Sequence, residues 1–119
     1  MKLKRIKIKV PIFDTNIEVI QASSLSTIED YITDNFHCSI EQVNGYPIAS
    51  TFTIPEYKTI IIGMTDWSDN STLLHECCHA VFRIMDLNNI SKEEDEVFCY
   101  TFEWLYQTII DHINIENNE

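Results

Sequence analysis

His75, Glu76 and His79 stand together in the run "STLLHECCHAVF", residues 71–82. If that run is helical, side chains four residues apart lie about 40° apart and one turn on, so the imidazoles project side by side. Two imidazole nitrogens so placed can reach one zinc ion. Glu76, about 100° from His75, can approach a water on that ion without ligating the metal. The HExxH pattern therefore gives His75 and His79 as zinc ligands and Glu76 as general base on zinc-bound water.

Catalytic zinc takes a third protein ligand and keeps one position for water. The extended motif with a further histidine is excluded, because Met85 stands where that histidine belongs and Phe82 where the motif needs glycine. The following segment, "SKEEDEVFCYTFEWL", offers Glu93, Glu94, Glu96 and Glu103. A short connection after Leu87 makes the two helices antiparallel neighbours. Glu96, Tyr100 and Glu103 share one helical face by spacing. Glu96 is favoured as third ligand, with Glu103 its geometric rival. Glu93 and Glu94 suit the positive end of the helix.

Cysteine chemistry is the competing reading of the same run. Cys77 falls about 200° from His75 and belongs to the core, whereas Cys78 falls about 60° from it and borders the site. A cysteine hydrolase needs a thiolate beside a histidine, and zinc explains the histidine spacing better. The four cysteines do not make a secreted framework: Cys77 and Cys78 are adjacent, a poor geometry for a mutual disulfide. "MKLKRIKIKV" is basic but alternates, so it is not read as a secretory signal. Reduced thiols and a cytoplasmic location are expected.

The elements that position these groups follow from periodicity. Residues 3 to 10 alternate, with Ile6, Ile8 and Val10 on one side and Lys7 and Lys9 on the other, as in a half-exposed strand whose lysines blunt an edge. "IEVIQ" is a second strand. "SSLSTIEDYITDNF" is a helix, with Ser26 and Glu29 at capping-box spacing. Two strands follow, over roughly 47 to 54 and "TIIIGM", with a turn at Pro55 to Lys58. The helix bearing the motif runs from about Asn70 to Leu87, with Leu74, Cys77, Val81, Ile84 and Met85 as its apolar face. Ser91 is placed to cap a last helix that reaches about residue 113. The 119 residues make one domain.

With these elements in place, residues 59 to 105 resemble a known class. HExxH followed by a glutamate on the next helix is similar to the gluzincin zinc metallopeptidases. "TIIIGMTDWSDNSTLLHECCHAVFRIMDLNNISKEEDEVFCYTFEWL" more closely resembles small phage-encoded metallopeptidases. The resemblance implies an α+β, zincin-like single domain: a small twisted antiparallel or mixed sheet, an active-site helix and a long C-terminal helix. It implies His75, His79 and Glu96 as zinc ligands, Glu76 as catalytic base, and a host-cell cytoplasmic setting. It also implies that "TIIIG" is an edge strand able to pair with an extended peptide substrate.

Charge narrows the partners. The net charge is −11, and five of the eight basic residues lie within the first nine positions. An acidic body of this kind argues against a nucleic-acid or anionic membrane partner. No apolar run approaches the length of a membrane span. Two rivals to a peptidase remain: a non-catalytic zinc-stabilised interaction protein, such as a phage factor that blocks a host protein, and an acidic nucleic-acid mimic.

Overall fold

The computed structural model describes residues 3–38 and 48–117. Strands β1 (Lys4–Val10) and β2 (Thr15–Gln21) lead into helix α1 (Leu25–Phe36). Strands β3 (Ala49–Ile54) and β4 (Thr59–Met64) precede helices α2 (Asn70–Leu87) and α3 (Asp95–Asn117). The four strands form one mixed sheet in the order β1-β2-β4-β3. β1 and β2 are antiparallel, β3 and β4 are antiparallel, and β2 and β4 run parallel. The expected α+β class with a long C-terminal helix is what forms.

One expectation is overturned by this order. "TIIIGM" is an interior strand, buried at every residue. The chain leaves β2, crosses by α1 to the far side, forms β3, and doubles back so that β4 slots beside β2. Such a strand is flanked by neighbours and covered on both faces, which is why its isoleucines run unbroken instead of alternating. The edge next to α2 is β3. β1 is the opposite edge, and its exposed Lys4, Arg5, Lys7 and Lys9 fit the expected blunting.

The sheet separates two cores. On one face Ile6, Ile8, Val10, Ile17, Val19, Ile60, Ile62 and Met64 meet residues of α2 and α3. On the other, Ile20, Phe52, Ile54 and Ile61 receive Leu25, Ile28 and Ile32 of α1. Register decides which face each residue of β3 serves. Thr51 pairs with Ile62 and so looks toward α2, whereas Phe52 pairs with Ile61 and looks toward α1.

Helix α2 has the expected bounds. Asp69 caps it, its carboxylate accepting from Thr72 N and Thr72 Oγ1. Its buried stripe is Leu73, Glu76, Cys77, Ala80, Val81, Ile84 and Met85. Leu74, expected inside, is exposed, and Leu73 takes its place. Each large apolar side chain buried in that stripe contributes about 1.5–3 kcal/mol. The other helix starts differ from expectation. α1 is capped by Ser24, which accepts from Thr27 N, so Ser26 and Glu29 do not form the capping box. Ser91 closes a turn with Glu94, and the first α3 bond runs from Phe98 N to Glu94 O. The helix therefore begins at Asp95 and continues past residue 113 to Asn117.

Candidate metal centre and its cleft

Helix spacing does what the sequence requires of it. His75 Nε2 and His79 Nε2 lie 3.2 Å apart, both exposed on α2. The pair fits a zinc ion. With Zn–N bonds of about 2.0–2.1 Å, nitrogens 3.2 Å apart subtend about 100–105°, near the tetrahedral angle of about 109°.

Glu76 sits between this pair and the sheet and is only 6% exposed. A buried carboxylate needs partners. Thr51 Oγ1 supplies one, 2.8 Å from Glu76 Oε1, and lies 3.3 Å from the Glu76 carbonyl oxygen. The threonine can do so because its strand register turns it toward α2. Sequence reasoning missed Thr51; the available clue was a polar β-branched residue in the first of the two strands before the motif.

Two hollows flank Glu76 along the groove between β3 and α2. One, of about 290 Å³, is lined by Ile48, Ala49, Ser71, Thr72, His75 and Glu76. The other, of about 280 Å³, is lined by Ala49, Ser50, Thr51, Glu76, His79 and Arg83. The two hollows share Ala49 and Glu76 in their lining, with His75 at one and His79 at the other.

The remaining candidates are placed as follows. Among the described residues, no group of three or more His, Cys, Asp or Glu side chains is arranged to hold a metal. Glu96 and Glu103 are both exposed on α3. The helices meet through Phe82 and Phe98, whose ring centroids are 4.7 Å apart. Glu96 lies about 160° round α3 from Phe98 and about 40° from Tyr100. Tyr100 in turn borders a groove with Val10, Pro11, Ile12, Phe13 and Trp104 at the β1–β2 turn. The structure thus brings together His75, His79 and Glu76, while Glu96 stands exposed near the start of α3.

The cysteines behave as packed groups. Cys77 is fully buried, and burial, with smaller contributions from Cys78 and Glu76, pushes its thiol up to about 12. Burial also raises Cys78. Neither shift is toward the thiolate that a cysteine nucleophile needs. His112 Nδ1 lies 2.8 Å from Thr108 O in its own helix. His37 closes α1 in the left-handed conformation at φ 53°. Trp67 is buried.

Comparison with known proteins finds no matching family model, no matching curated protein and no matching solved structure. Among the described residues, no helix is long and apolar enough to cross a membrane.

Proposed function

We propose that this domain is a zinc-dependent metallopeptidase with a zincin-like site, hydrolysing a peptide bond in a peptide or protein substrate. The observation that carries the reading is the 3.2 Å approach of His75 Nε2 to His79 Nε2 beside a buried carboxylate. Zinc held by that pair would polarise the scissile carbonyl and acidify an attacking water. Thr51 fixes one oxygen of Glu76. The other oxygen accepts no hydrogen bond among the described residues and is the one that takes the water's proton. The same carboxyl then gives a proton to the leaving amine. The outer edge of β3 borders the cleft and offers backbone groups to an extended substrate. Glu96, which the resemblance nominates, is the proposed third ligand.

Glu76→Gln is the test. The variant should bind zinc as the parent does and lose peptide hydrolysis. Full hydrolysis by that variant would refute the mechanism.

One observation favours a second reading, a zinc-stabilised interaction protein. Ile12 is 97% exposed and Tyr100 69% exposed beside the groove at the β1–β2 turn. Ile12 also has φ 60°, a conformation that costs a β-branched residue energy. On this reading Glu76→Gln retains the biological effect, whereas Ile12→Ser removes it.

A further inference from the structure

Beyond the first nine residues the chain holds three basic residues against nineteen acidic ones: Lys58, Arg83 and Lys92. Two of the three do not line the hollows beside Glu76. Lys58 Nζ bonds Asp14 Oδ2 at 2.8 Å. Lys92 Nζ lies 3.9 Å from Asp86 Oδ2 and 5.9 Å from the centroid of the Phe82 ring. Arg83 is the one that lines the cleft, in the hollow with Thr51, Glu76 and His79.

The Arg83 guanidinium is largely uncommitted. Its nearest acidic neighbour is Asp86, with NH1 to Oδ2 at 3.8 Å. That exceeds hydrogen-bond length, and an exposed pair of this kind contributes little. Among the described residues its side chain makes no hydrogen bond. Arg83 thus brings five N–H donors in a planar fork to the lining of a hollow in a protein of net charge −11. A guanidinium fork matches a carboxylate with two parallel bonds, which an ammonium cannot do. In so acidic a molecule a lone cation does not steer encounter. It sets which anionic group is tolerated and where it must lie.

The spacing states where. Arg83 follows His79 by one helical turn, a rise of about 6 Å. An extended peptide covers that distance in about two residues.

We propose that the cleft selects peptides carrying a carboxylate about two residues from the bond to be cut, with Arg83 as the residue that recognises it. The carboxylate is either the peptide's own C-terminus or an acidic side chain. The distance from the bond to be cut rests on the peptidase reading, whereas recognition of a carboxylate by Arg83 does not.

Three synthetic peptides of one sequence separate the possibilities: the free acid, the C-terminal amide, and the amide with glutamate two residues beyond the test bond. Affinity is measured by fluorescence anisotropy on zinc-supplemented Glu76→Gln protein, and turnover on the parent. One of the two carboxylate peptides should bind at least about tenfold more tightly than the plain amide. The ratio should collapse toward one in Arg83→Ala and be partly restored in Arg83→Lys. Whether the free acid or the glutamyl peptide shows the preference identifies the source of the carboxylate. Equal binding of all three, no binding of any, or a preference that survives Arg83→Ala overturns the proposal. A preference that depends on Arg83 with no turnover in the parent overturns the peptidase reading alone. Turnover indifferent to charge overturns the recognition alone.

Discussion

Thr51 Oγ1 donates to Glu76 Oε1 at 2.8 Å, joining the edge strand to the helix that carries both histidines. The bond holds one carboxylate oxygen against the sheet, and the second accepts no hydrogen bond among the described residues. Hydrogen bonds to charged groups contribute about 1.5–3 kcal/mol. Thr51→Val, which keeps the shape and loses the hydroxyl, should lower kcat by at least about tenfold with little change in KM. Thr51→Ser should recover most of the loss. Equal kcat values for the parent and Thr51→Val would show that the carboxylate is positioned by something else.

The proposed third ligand is open to direct measurement. Protein purified without added zinc should carry one equivalent. His75→Ala and His79→Ala should each lose most of it, because one imidazole cannot hold the ion alone. Glu96→Ala should lower zinc affinity by at least about tenfold, as removal of a ligand requires, while Glu103→Ala should not. The reverse result would transfer the role to Glu103. No loss in either variant would remove both from the site.

Tyr31 offers a pH prediction on the other side of the sheet. Its hydroxyl donates to Glu18 Oε1 at 2.8 Å and accepts from Arg5 at 2.6 Å. Burial raises its pKa above the ordinary 10.0, and the bond to Glu18 adds to the rise, while Arg5 opposes it. A phenol raised in the folded state stabilises the fold below its unfolded pKa. That contribution disappears as pH climbs through the folded value. Absorbance titration should show a tyrosine ionising above the ordinary 10.0, absent in Tyr31→Phe. An unchanged curve in that variant would sink the assignment.

Gly63 tests the independence of the two cores. A Cβ there would stand 3.1 Å from both Cδ1 and Cγ2 of Ile28. Gly63→Ala should destabilise by about 1–3 kcal/mol through overpacking, and Ile28→Val should relieve part of it. Because α1 lies on the face away from the histidines, zinc content should not change. Loss of zinc in Gly63→Ala would show that the sheet transmits the strain.

Much of the site was legible because its rules are local. A four-residue spacing on a helix places His75 beside His79 whatever else the chain does, and Asp69 caps that helix three residues before Thr72. The alternation in β1 and the burial of Cys77 were readable for the same reason. What depended on distant partners was not readable. Whether "TIIIGM" lies at an edge is decided by which strand pairs with it, and β3 took the edge because β4 returned beside β2. The rotation of α3 depends on contacts such as Phe98 against Phe82, which no spacing within α3 fixes. Thr51 reaches Glu76 only through strand register. Covalent spacing determines neighbours within one element, whereas packing free energy, summed over the whole core, determines which elements meet and by which face.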